Sequence, residues 1–220
     1  MQYQWNQTRR ELLRGLSLGA AALAAPRTLA DSLIATPEQT EGPFYPDRMP
    51  LDTDNDLLLI GDSSDLAVGE ITHLGGRVLD LDGRPVRNAL VEIWQVDGNG
   101  VYLHTRSAGE RRDANFQGYG RFLTNPQGEY YFRTVKPVVY PGRHAPHIHF
   151  KISRRGTPLL TTQMYVKGHR GNIKDGIYNS IRDDEQREAV TANFIIPPHL
   201  PDKELMANFD IILGRTPADG

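Results

Sequence analysis

The chain of 220 residues has no cysteine, and that single absence removes disulfides, thiol nucleophiles, zinc–cysteine sites and iron–sulfur clusters together. Any metal must then be held by His, carboxylate or Tyr. No apolar run approaches the ~18 residues that a membrane span requires, so no membrane span is expected. A strong charge of either sign is also missing: 25 Lys and Arg stand against 27 Asp and Glu, net −2. Such a balance offers no electrostatic footprint for nucleic acid or an anionic membrane surface. What is present is ordinary globular composition, 39% hydrophobic with seven Phe, nine Tyr and two Trp, enough for one sizeable core. A single main domain acting on a small molecule is the expectation.

Residues 1–30 read as separate from the fold. Thr8-Arg9-Arg10-Glu11-Leu12-Leu13-Arg14 precedes a weakly apolar stretch over 15–25, followed by Thr28-Leu29-Ala30, a small-x-small cleavage pattern. This resembles a twin-arginine export leader and predicts a periplasmic or extracellular protein; the competing reading is an amphipathic N-terminal helix. Proteins exported this way fold before crossing the membrane, often around a cofactor, so the resemblance hints at a metal. The leader carries four Arg and one Glu, leaving the remainder at net −5.

Residues 31–74 are punctuated by Pro37, Pro43, Pro46 and Pro50 and by Asp52-Thr53-Asp54-Asn55-Asp56, which predicts an extended arm. The main domain is placed at 75–220. There, short β-rich runs over 76–79, 90–96, 120–124 and 129–134 alternate with the turn signals Asp82-Gly83, Asp97-Gly98-Asn99-Gly100 and Asn125-Pro126-Gln127-Gly128. Runs over 147–153, 160–166, 190–196 and 208–213 continue the pattern, and only 183–189 reads as a helix. The prediction is an all-β fold, an antiparallel β-sandwich with an extended N-terminal arm and little helix.

The sharpest local feature is Pro146-His147-Ile148-His149-Phe150-Lys151-Ile152. In a strand, residues i and i+2 share a face about 6.5–7 Å apart, so His147 and His149 can offer two imidazoles to one ion while Ile148, Phe150 and Ile152 face a core. The same spacing is met by two histidines on a solvated edge strand. A cupin-type site would need a Glu soon after, and a zinc hydrolase a His-Glu-x-x-His pattern; neither is present. His73, His104, His169 and His199 show no partner spacing and read as surface or turn residues. Arg154-Arg155-Gly156 reads as a hairpin turn, and Asp183-Asp184-Glu185 as a helix start.

Thr40-Glu41-Gly42-Pro43-Phe44-Tyr45-Pro46, Leu90-Val91-Glu92-Ile93-Trp94-Gln95, Asn99-Gly100-Val101-Tyr102, Gly120-Arg121-Phe122-Leu123-Thr124 and Gly128-Glu129-Tyr130-Tyr131-Phe132 lead to Tyr140 and the His147/His149 pair. Together they resemble the intradiol ring-cleavage dioxygenase family, of protocatechuate and catechol types, over roughly residues 40–166. The resemblance implies a transthyretin-like sandwich and non-haem Fe(III) held by Tyr102, Tyr140, His147 and His149. It implies a small aromatic diol and O2 as substrates, with ring opening between the two hydroxyls to a cis,cis-muconate. By the same likeness Tyr140 is the ligand that departs when substrate binds, and Gln163 lines the pocket.

In one place the pattern departs from the family, which carries Arg three residues before the first histidine. Here His144 holds that position and Arg143 stands one earlier, so either residue, or neither, takes the arginine's role. The stretch over 76–140 is also similar to transthyretin-like or carboxypeptidase-regulatory-like binding modules, which carry no metal. That alternative predicts neither the His147/His149 strand nor the Gly42-Pro43-Phe44-Tyr45 arm. The sequence leaves open which catechol is used, and whether the chain forms a homo-oligomer or needs a partner subunit.

Overall fold

A computed structural model describes residues 33–61, 65–107, 111–198 and 203–214. The leader and His199 lie outside the described residues. Among the described residues ten strands occur with little helix: β1 (Ile71–Leu79), β2 (Leu90–Trp94), β3 (Tyr119–Leu123), β4 (Glu129–Val135), β5 (His147–Arg154), β6 (Thr157–Val166), β7 (Thr191–Ala192), β8 (Phe194–Ile195), β9 (Leu205–Asn208) and β10 (Ile211–Ile212). Among the described residues the α-helix α1 (Asp184–Ala189) is capped by Asp183, whose side chain accepts from the Gln186 N–H. Two 3-10 turns, Asn172–Lys174 and Tyr178–Ser180, were not foreseen.

The strands form two five-stranded sheets. In one, β1 pairs antiparallel with β4 along one edge and parallel with β9 and then β10 along the other, while β8 closes on β9. In the second the order is β3-β2-β5-β6-β7, with β7 parallel to β6. The sheets are therefore mixed, which corrects the expectation of purely antiparallel pairing. A parallel neighbour needs a long crossover, and the turns and helix between β6 and β7 supply one.

β1 also begins at Ile71, inside the segment read as arm. Gly75, where the sequence reading places the start of the main domain, and Gly76 lie mid-strand, and a Cβ on Gly76 would meet the Phe209 carbonyl at 2.0 Å. The glycine marks close backbone approach to the β9–β10 kink, a recognised use of glycine in strands. The β5–β6 hairpin turns at Arg155 and Gly156, both at positive φ, as the sequence indicated.

Period-two alternation divides β5 between two environments. Ile148, Phe150 and Ile152 join Val91 and Ile93 of their own sheet, and Leu74, Val78 and Phe132 of the other, in one buried core. Phe150 meets Phe209 at 5.0 Å and Tyr130 at 6.0 Å between ring centroids. His147 and His149 therefore emerge on the face turned away from that core, together with Glu92 and Trp94. Burying these side chains at full depth, at about 2 kcal/mol for each large apolar group, is what fixes the register that puts both histidines on one face.

That outer face is covered by the arm. Where β7 pairs only with Tyr165 and Val166, the rest of the β6 edge takes the arm: the Gln39 N–H donates to the Thr161 carbonyl at 2.8 Å, and Thr162 Oγ1 to the Pro37 carbonyl at 2.8 Å. Farther along, Tyr45 Oη donates to Glu92 at 2.8 Å beside Tyr119 Oη at 2.6 Å.

Candidate active site

His147 and His149 are 1% and 3% exposed, although they face away from the main core. The arm and the loops bearing Tyr102 and Tyr140 close over them. Asp97 shapes the first loop, accepting from the Asn99 and Val101 N–H groups through Oδ1 and from the Asp113 N–H through Oδ2. Gly100, at φ +81, lets that loop pass against the second: a Cβ there would stand 3.2 Å from the Val139 carbonyl oxygen and 3.4 Å from Tyr140 Cβ.

The result is a convergence of donor atoms. Tyr102 Oη lies 3.0 Å from His149 Nε2 and 3.3 Å from His147 Nε2. The Tyr140 ring sits edge-on to Tyr102, centroids 5.1 Å apart, and 5.6 Å from the His147 ring. Phe44 of the arm stacks on Tyr102 at 4.9 Å. All four residues that the resemblance implies as ligands thus stand together, contributed by two alternate positions of β5 and two separate loops.

The electrostatics suit a cation. Burial, with the Arg143 charge adding to it, takes the His147 pKa down to about 3. Burial likewise holds His149 well below its ordinary value, reinforced by His147 and Arg143. Both rings are therefore neutral near pH 7. The Ala145 carbonyl engages His147 Nδ1 at 2.7 Å, which fixes the proton on that nitrogen and aims the Nε2 lone pair at Tyr102. The Tyr102 phenol is pushed well above 10 by burial and then by Tyr140, so only a cation among these donors makes it ionise. Among the described residues no group of three His, Asp or Glu could hold an ion, so a metal here depends on the tyrosines. Two neutral imidazoles and two phenols form a hard N/O donor set that fits ferric iron.

Arg143 reaches this centre and His144 does not. His144 is exposed, whereas Arg143 Nη1 lies 3.3 Å from His147 Nε2 and Nη2 donates to Gln163 Oε1 at 2.8 Å. Gln163 also turns to the site: its Nε2 donates to the Thr40 carbonyl at 3.0 Å, and its Oε1 accepts from Tyr165 Oη at 3.1 Å. Three further participants escaped the sequence reading. Tyr165, on the same face of β6 as Gln163, could have been found by period two. Gln39, accepting from Tyr165 Oη at 2.7 Å, precedes the arm motif by one residue. Asp175, which pairs with Arg143, gave no signal beyond an Asp-Gly turn.

Of the histidines read as surface or turn residues, His104 opens a turn, the Ser107 N–H donating to its carbonyl at 3.0 Å, but the side chains of His73 and His104 are not at the surface. His73 is 3% exposed, with Nδ1 2.5 Å from Tyr131 Oη and Nε2 2.5 Å from Glu204; its partners lie too far along the chain to leave a spacing. The His104 side chain is 6% exposed and packs edge-on to Phe44 at 5.6 Å.

The family model Dioxygenase_C, described as Dioxygenase, matches residues 40–214. The chain is 35% identical over 169 residues to the protocatechuate 3,4-dioxygenase beta chain of Burkholderia cepacia, covering 73% of this chain and 71% of that protein. It is 33% identical to catechol 1,2-dioxygenase of Acinetobacter baylyi over 66% of this chain, but spans only 50% of that relative. Among solved structures, the dioxygenase domain of a dioxygenase carbohydrate-binding protein fusion from Streptomyces sp. SirexAA-E superposes with a TM-score of 0.62 at 27% identity, over 83% of this chain and 100% of that one. With the family model spanning the arm, both sheets and the donor cluster, the chain belongs to the intradiol ring-cleavage dioxygenase family.

Proposed function

We propose that this chain is an exported, non-haem Fe(III) intradiol dioxygenase that inserts both atoms of O2 into a catechol-type aromatic and opens the ring between its hydroxyls, giving a cis,cis-muconate. The observation that carries the reading is the convergence of both His147 and His149 Nε2 atoms on Tyr102 Oη, with Tyr140 edge-on beside them. Tyr102, Tyr140, His147 and His149 would hold the iron. Bound there, ferric iron supplies Lewis-acid activation and orientation of the diol.

The residues divide the remaining work. Tyr102 is buried and stacked under Phe44, so it stays in place. Tyr140 is half-buried, on the loop between β4 and β5, and, ionised when iron is bound, would be the ligand that swings away, its phenolate oxygen taking a proton from the incoming diol. Arg143 presents its Nη1 edge next to His147, where it steadies negative charge developing on the substrate. Gln163 holds the other edge of that guanidinium. Phe44 and the arm exclude water. The two sheets about their shared core are read as a transthyretin-like β-sandwich, with the segment ahead of β1 as the arm, and residues 1–30 as a leader removed on export.

The experiment is a visible spectrum of the purified protein with iron quantified, first under argon with catechol or protocatechuate and then in air. A broad tyrosinate-to-iron band, red-shifted by substrate and followed by oxygen uptake, is expected. A protein still colourless after ferric reconstitution overturns the proposal in favour of a metal-free binding module.

A further inference from the structure

Asp175 lies in the bend between the two 3-10 turns and is 2% exposed. Its Oδ2 accepts from Arg143 Nε at 2.8 Å and its Oδ1 from Arg143 Nη2 at 3.2 Å, a bidentate fork. The carboxylate is itself anchored: Oδ1 also accepts from the Ile177 and Tyr178 N–H groups, each at 3.1 Å, and Oδ2 from the Ala145 N–H at 3.3 Å. Ala145 lies two residues ahead of His147, and its carbonyl engages His147 Nδ1. One carboxylate therefore ties together the guanidinium, the backbone that leads into β5 and the turn that follows β6.

We infer that Asp175 is a positioning residue for ring cleavage: it holds the Arg143 guanidinium in one orientation, with Nε and one side of Nη2 occupied and the Nη1 edge turned to His147. This rests on the reading of the site as a ring-cleaving centre. Arg143 closes the tight turn over residues 140–143, its N–H donating to the Tyr140 carbonyl at 3.0 Å, which places its backbone but leaves the orientation of the long side chain to its partners. A guanidinium on four rotatable bonds would otherwise sample many orientations, and fixing one removes that entropy before substrate arrives. Burial works against both charges. The mutual hydrogen bonding outweighs it, keeping the arginine above and the aspartate below their ordinary ranges.

The test is a double-mutant cycle on the iron-loaded protein with Asp175→Asn and Arg143→Met, joined to an iron-independent measurement. D175N is expected to lower kcat by about 10- to 100-fold, the scale of a misplaced catalytic group, with a smaller change in KM. In the R143M background the same substitution should change kcat less than about threefold, because a residue acting only through Arg143 has nothing left to act on. An equal loss in both backgrounds overturns the inference and marks Asp175 as a general scaffold residue. If D175N fails to fold, Asp175→Glu keeps the charge and shifts it by one methylene, and the same non-additivity is expected. In the iron-free protein, nitrogen-15 NMR should show one slowly exchanging arginine Nε–H that is lost in R143M and unprotected in D175N. An unprotected Arg143 Nε–H in the unaltered chain also overturns the inference. Protection without ring cleavage by any form would instead sink the catalytic reading, and with it this role for Asp175.

Discussion

The Trp94 indole lies flat against the His149 imidazole, ring centroids 4.8 Å apart and planes 8° from parallel. The two are cross-strand partners on β2 and β5, so the register that builds the core also builds this stack. Trp94 is fully buried, and among the described residues its Nε1 has no hydrogen-bond partner. Trp94→Ala should cost about 3–5 kcal/mol by leaving a cavity and release His149 to turn, lowering iron retention. Trp94→Phe keeps a ring on His149 and removes the unsatisfied N–H, so the loss should be about 1–2 kcal/mol with iron retained. Denaturant unfolding with iron analysis separates the two; equal iron loss in both variants would show that the stack does not orient His149.

Acid should destabilise the iron-stripped protein well before its carboxylates titrate. The unfolded chain protonates His147 near pH 6.5, whereas burial keeps the folded form neutral down to about pH 3. Above pH 6.5 neither state is protonated and the residue contributes no pH dependence. Below it the unfolded state binds the extra proton, and stability falls by about 1.4 kcal/mol per pH unit from this group. His149, depressed for the same reason, adds to the slope. Urea midpoints measured from pH 7 to pH 4 check this, and a flat profile would refute it. Bound iron should leave this slope in place, because it keeps both Nε2 atoms unprotonated in the folded state while the unfolded chain, having released the metal, still takes up the protons.

What could be read from the sequence was what is local. Two histidines at i and i+2 lie on one face in any strand, and Asp-Gly turns between β-rich runs mark strand ends, so β5 and its paired histidines were visible before any fold. Long-range partners were not. Asp175 lies 32 residues from Arg143, and Glu204 lies 131 from His73, distances at which no periodicity operates. The parallel pairs of β9 and β10 with β1 escaped for the same reason, since short strands reached by long connections carry no register signal. β1 was read too short because Gly75 and Gly76, which admit a neighbouring backbone mid-strand, carry no side chains to continue the alternation back to Ile71.

The proposed export leader yields a prediction independent of the site. Arg9 and Arg10 precede the apolar stretch, and a twin-arginine signal is read by those side chains, not by charge alone. Replacing both with Lys keeps the charge and should trap the precursor inside the cell. Fractionation followed by immunoblotting measures this, and undiminished appearance of the Lys-Lys form outside the cytoplasm would refute the twin-arginine reading while leaving the catalytic proposal intact.

The two tyrosines should respond differently to loss of the phenolic oxygen. Tyr102 Oη is the atom on which both imidazoles converge, in a ring 2% exposed and stacked under Phe44. Tyr102→Phe removes the one anionic donor that cannot move, and iron affinity should fall by at least about tenfold, the scale on which even outer-shell partners act. Tyr140 is half-buried, beside exposed Val139 and Pro141. Tyr140→Phe should therefore keep most of its iron and lose turnover instead, because the substrate finds no phenolate to take its proton. Chelator competition against ferric iron gives the first quantity and oxygen uptake the second. Loss of iron in Tyr140→Phe with retention in Tyr102→Phe would reverse the assignment of the staying and departing ligand.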